Sequence, residues 1–223
     1  MRFLYSPNQR EFFYKNRFIE FEELLSKDQV AQLNKEIDEL MAMRLHISLT
    51  QVEKMPSLTL FRAGHDLWRN APGIRNATQK LSFAQIASEL FGASPLRIAF
   101  DQYFCIYPPC DPFFNKAFSL NEISCIKPLA GAILFLLEDL SQPLPPLPHA
   151  AGNVLFISPE LHLPWDTLFQ APRLRFLLVA FAPEKSFYRH EPNDYHCPAL
   201  KKWGYVYNDK LQQSLHPFVY GKK

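Results

Sequence analysis

The chain has almost no net charge: 24 Lys and Arg against 22 Asp and Glu leave +2 over 223 residues. So weak a field gathers neither phosphate nor anionic lipid, and nucleic acid and membrane surfaces are not expected partners. Long apolar runs are missing too. The longest, residues 128 to 137, is half a membrane span, and the opening MRFLYSPNQREFFYK is broken by Arg2, Arg10, Glu11 and Lys15, as a secretory signal would not be. Cysteine is sparse: Cys105, Cys110, Cys125 and Cys197 form no C-x-x-C pair. They are expected to be reduced thiols, buried as small hydrophobes in a cytoplasmic protein. Nor is there a Gly-rich phosphate loop, a G-x-S-x-G elbow or a Cys–His pair at a recognisable spacing.

What the chain has is apolar surface. It is 48% hydrophobic with 20 Phe, enough for one sizeable core and too short for two comfortable domains, so a single domain over 1–223 is expected. Three parts follow in order: a mostly helical 1–93, a strand-rich 94–183 and an aromatic tail at 184–223. Ser6-Pro7-Asn8-Gln9 and Ser26-Lys27-Asp28-Gln29 are capping boxes, each opening a helix. The second helix runs to about 43, with Val30, Leu33, Ile37, Leu40 and Met41 on one face. Between them FIEF alternates as a half-buried strand. Signals weaken over 44–80, where 66–69 and 74–81 each support a short helix. Ser82 caps a helix that Gly92 ends.

From residue 95 the character changes. LRIAFDQYFCIY (96–107) is β-branched and aromatic and stops at Pro108-Pro109. Further strands are expected at about 118–126, 129–138, 152–158 and 172–182, with SQPLPPLP (141–148) as a stiff connector. Helix-forming residues return at 198–203 and 209–216. Helices first, then short strands, is the order of an α+β double-stranded β-helix, a jelly-roll or cupin-like core with N-terminal helices packed on it and a short C-terminal helical tail.

Several segments resemble the phytanoyl-CoA hydroxylase-like branch of the Fe(II)/2-oxoglutarate-dependent oxygenases. They are the opening helix–strand–helix, DQYFCIYPP (101–109), GNVLFISP (152–159) and PRLRFLLVAF (172–181). A narrower resemblance is to uncharacterised members of this group in chlamydiae and related intracellular bacteria. The resemblance implies iron held by two histidines and one carboxylate, the first two ligands coming as H-x-D or H-x-E. This chain departs from that pattern. Two places after His46, His65, His149, His162, His190, His196 and His216 stand Ser48, Leu67, Ala151, Pro164, Pro192, Pro198 and Phe218, so the motif is absent.

By the family's count from Pro108-Pro109, the lost motif falls at Ser119-Leu120-Asn121-Glu122. His162 follows the GNVLFISP strand as the distal ligand would, and Arg173 lies eleven residues on, as the arginine that grips 2-oxoglutarate would. Arg175 shares its strand parity and is an equal candidate. The expectation is a non-catalytic chain with no metal and no cofactor, binding a small molecule or a protein, with Arg173 or Arg175 holding an anion. The alternative is a hydroxylase using Fe(II) and 2-oxoglutarate, its metal held by His162 with Glu122 or Asp101. Arginine near a strand end also pairs with acids, and Asp101 and Glu122 also serve as turn caps. His190, His196 and Cys197 have donor types suited to zinc at spacings that match no common template. Tyr195, Trp203, Tyr205, Tyr207 and Tyr220 make the tail aromatic, which suits packing over the barrel or a partner surface.

Overall fold

The computed structural model describes residues 6–107, 119–168 and 173–221. Both capping boxes form, with Gln9 and Gln29 reaching back to the amides of Ser6 and Ser26, and they open α1 (Pro7–Asn16) and α2 (Lys27–Leu45). Strand β1 (Phe18–Phe21) lies between them. The weakly patterned stretch holds α3 (Leu49–Val52), α4 (Ser57–Ala63), a 3-10 turn (Leu67–Arg69) and α5 (Pro72–Thr78). Helix α6 (Leu81–Phe91) starts before Ser82, which is therefore not its cap, and ends at Gly92 in the left-handed conformation.

Next come β2 (Leu96–Ile106), α7 (Leu120–Ile123), β3 (Ile126–Lys127), β4 (Gly131–Leu136), β5 (Val154–Ile157), α8 (Trp165–Leu168) and β6 (Leu174–Pro183). The tail holds β7 (Phe187–Tyr188), α9 (Cys197–Lys202) and β8 (Phe218–Tyr220). Two expectations need correction. The strand at 118–126 is a helical turn followed by a two-residue strand, because Ser119 and Glu122 form another capping box of this kind. Residues 209–216 form turns, and no helix. Pro108, Pro109 and Cys110 lie outside the described residues.

Six strands form one antiparallel sheet in the order β1-β5-β4-β6-β2-β8, and β3 pairs with β7 in a second, small sheet. A bulge at Ala99 shifts the register of β2 against β6. The large sheet is buried on both faces. On one side Ile98, Tyr103, Ile133, Phe156, Leu177 and Val179 meet the helices through residues such as Phe13, Leu33, Ile37, Ile74 and Phe83. On the other, Phe100, Phe104, Leu134, Leu155, Phe176 and Leu178 face the barrel interior with Ile126, Tyr188, Trp165 and Leu200. This is a curled antiparallel sheet with helices covering its outside, the expected double-stranded β-helix. No helix among the described residues is long and apolar enough to cross a membrane.

Candidate functional site

Glu122 and His162 come together. The turn 119–123 docks on the chain after β5 through Asn121 N–H to the Pro159 carbonyl at 3.0 Å and Asn121 Nδ2 to Glu160 Oε1 at 3.3 Å. That places His162 Nε2 3.1 Å from Glu122 Oε2, with both side chains more than half exposed, at 57% and 56%. The Ser119 N–H, which donates to Glu122 Oε2 at 2.7 Å, and then His162 hold this carboxyl below its usual value.

Asp101 does not join them. It is fully buried on β2, where its two oxygens accept the N–H groups of Leu67 and Trp68, each at 2.8 Å, and pin the 3-10 turn to the strand. Burial pushes its carboxyl up to about 7, outweighing the two donors. Among the described residues no group of three His, Cys, Asp or Glu side chains is placed to hold a metal ion. Among the described residues, His162 and Glu122 are thus the two expected donors that meet, and Asp101 lies apart from them.

Arg175 on β6 and Arg173 just before it share the parity of Leu177 and Val179, toward the helices, while Phe176 and Leu178 take the interior. Arg175 is 4% exposed and donates to Asp38 Oδ1 of α2 at 2.7 Å, with Glu138 Oε1 3.5 Å away. Arg173, 51% exposed, donates to both oxygens of Glu138 and lies 3.4 Å from Glu53. Both guanidinium groups thus have carboxylate partners from the protein itself, on the face of the sheet away from the barrel. An inward-pointing anion clamp does not follow from this geometry.

The interior is filled instead. Phe104 stacks on Phe176 at 4.5 Å and on Trp165 at 5.0 Å, and Phe61 closes on Phe104 at 5.1 Å. The remaining cavity is about 30 Å³, bounded by Phe61, Phe100, Gln102, Trp165, Tyr195 and His196 among others. A water needs roughly 10–15 Å³ on such a measure, so the space suits one or two waters and not a dicarboxylate.

One polar pair on its wall escaped the sequence reading. Asp194 Oδ1 lies 2.7 Å from His196 Nδ1 and accepts the His196 amide at 2.8 Å, while Asp194 Oδ2 takes the Cys125 amide at 2.6 Å. Burial opposes charge on both, yet their attraction prevails, lowering the Asp194 carboxyl and raising the His196 imidazole. The D-x-H spacing was the available signal. His196 is thus tied to Asp194, Cys197 to Glu191 and Tyr188, and His190 is exposed, so the three do not form a zinc set.

No known family profile matches the sequence, and no curated protein does. Solved structures do match in fold. The non-heme alpha ketoglutarate dependent carbocyclase SnoK of nogalamycin biosynthesis superposes with a TM-score of 0.71 at 15% identity, over 97% of each chain. The epimerase SnoN, solved with Fe3+, alpha ketoglutarate and nogalamycin RO, gives 0.68 at 13%, over 96% of this chain and 98% of its own. CT296 from Chlamydia trachomatis gives 0.50 at 16%, over 82% and 98%. At these identities the likeness is one of architecture, and the chain has the fold of the α-ketoglutarate-dependent, that is 2-oxoglutarate-dependent, oxygenases.

Proposed function

We propose that this chain is a non-catalytic descendant of a 2-oxoglutarate-dependent oxygenase that keeps the barrel and acts by binding a small molecule or a protein. One observation carries the reading: Glu122 and His162, which the resemblance sets at two of the iron-ligand positions, bond to each other, with no third donor beside them among the described residues. A facial site needs three ligands and open positions for cosubstrate and oxygen. The aromatic stack of Phe104, Trp165 and Phe176 supports it further, since it occupies the interior. The phytanoyl-CoA hydroxylase-like branch is the ancestry we favour, on the GNVLFISP strand and the interval from His162 to Arg173. A cytoplasmic location agrees with the free thiols of Cys105, Cys125 and Cys197.

The closeness of His162 to Glu122 also favours a second reading, a hydroxylase whose iron has these two ligands and water. Anaerobic reconstitution with Fe(II) and 2-oxoglutarate, followed by oxygen, separates the two. We expect no stoichiometric iron and no succinate. Succinate release that disappears in His162→Ala would overturn the non-catalytic reading in favour of the enzyme.

A further inference from the structure

We infer that the barrel interior takes the hydroxyl end of a small uncharged alcohol, its oxygen held between Gln102 and His196. This rests on the reading that the chain binds a small molecule, and it names the class. Strand β2 turns Phe100, Phe104 and Ile106 inward, and Gln102 shares their parity. A buried amide in such company is costly unless its polar atoms are bonded. Gln102 Nε2 donates to the Phe61 carbonyl at 2.8 Å and to the Tyr103 carbonyl at 2.9 Å, so both of its protons are used and the group cannot turn over. Gln102 Oε1 is left buried, with no hydrogen-bond partner among the described residues.

His196, which lines the same cavity, leaves a second such atom. Its Nδ1 lies 2.7 Å from Asp194 Oδ1, and because a carboxylate only accepts, Nδ1 carries a proton. Phe100 lies over the imidazole at 4.2 Å and His65 stands edge-on to it at 6.0 Å, which fixes the plane of the ring. Nε2 is then buried without a partner among the described residues. Burial works against charge here, but the Asp194 carboxylate raises the imidazole, so Nε2 carries a proton as well and is a donor. Gln102 is 2% exposed and His196 7%, so neither atom finds its partner in bulk solvent.

The cavity wall thus offers one donor and one acceptor among the rings of Phe61, Phe104 and Trp165. A hydroxyl answers both from a single atom, accepting from His196 and donating to Gln102. A carboxylate would set a second acceptor against the Gln102 oxygen, and an ammonium would meet a charged imidazole. At about 30 Å³ the buried end admits a polar group no wider than a water. Asn193 on the same wall is exposed and Ile123 and Tyr195 are half-buried, so an alkyl chain runs out past the rings on that side. Water makes the same two bonds, and an alcohol that displaces it keeps them while burying its chain.

The test uses the full-length chain with n-propanol, and with n-propyl chloride as a probe of similar shape that lacks the hydroxyl. Proton–nitrogen correlation NMR reads the Gln102 side-chain amide and the His196 ring directly. The expected result is a saturable shift of both signals, half-complete at millimolar n-propanol and needing about tenfold more n-propyl chloride. Gln102→Leu, which removes the acceptor, should bind the two probes alike. Equal binding of the probes by the wild type overturns the inference, as does the absence of a shift with either, or a tighter response of the same signals to 2-oxoglutarate. The wild-type comparison decides the matter even where the variant fails to fold. Succinate release on reconstitution with Fe(II) would sink the non-catalytic reading by itself, whereas no succinate together with no shift removes the alcohol alone.

Discussion

His162 Nε2 stands 3.1 Å from Glu122 Oε2, each the other's partner where the sequence resemblance led us to expect metal ligands. A metal entering there would have to displace this bond and would find no third donor among the described residues. A site with a dissociation constant near 1 μM would stabilise the fold by about 2.7 kcal/mol at a hundredfold excess of free ion. We expect no rise in the thermal midpoint with about 100 μM Fe(II) under argon, read by differential scanning fluorimetry.

Arg173 and Arg175 separate by burial. Arg175 is 4% exposed and bonded to the part-exposed Asp38, so Arg175→Ala removes a charge-assisted bond and should cost about 1.5–3 kcal/mol in urea denaturation. Arg173 is half exposed, and Arg173→Ala should cost less than about 1 kcal/mol. Equal losses would mean that the junction is wetter than its geometry indicates.

Asp101 sets a pH dependence. Its folded-state value, about 7, lies above the 3.8 of the unfolded chain, so the folded form holds the proton longer and stability is lost as pH rises between those values. Asp101→Asn accepts only one of the two N–H groups and should cost about 1–3 kcal/mol at the acid end. The gap between variant and wild type should narrow toward neutral pH, as shown by urea midpoints across that window.

His216 works in the opposite direction. It is buried with Nδ1 2.9 Å from the Ala99 carbonyl, and burial lowers its imidazole from 6.5 to about 4. The unfolded chain takes up the proton first, so stability falls as pH drops from 6.5 to about 4, by about 3 kcal/mol. His216→Asn should remove this acid loss. An NMR titration in which the His216 ring protonates near 6.5 would contradict the assignment.

The sequence made the helices α1 and α2 legible because side chains close their first turns locally, at Ser6 with Gln9 and Ser26 with Gln29. The same box at Ser119 and Glu122 was hidden within an apolar stretch that suggested a strand. Leu211 and Leu215 have helical spacing, yet the segment turns to carry His216 under Ala99. The shared parity of Arg173 and Arg175 was readable, but its direction was not: β6 is apolar on both faces, so alternation cannot say which face meets the helices. The approach of Glu122 to His162 and of Asp194 to Cys125 depends on how loops meet in space, which the sequence pattern does not encode.

The large sheet has its first strand at one border and its last at the other, β1 beside β5 and β8 beside β2. On a ribosome this order imposes a delay. The Phe18–Phe21 strand waits for Val154–Ile157 to emerge, and Leu96–Ile106 lacks its outer neighbour until Phe218–Tyr220 is made. Until then the nascent chain exposes apolar strand borders, the condition under which intermediates associate wrongly. Assembly of this barrel is therefore a late, non-local event, of the kind whose contacts form slowly.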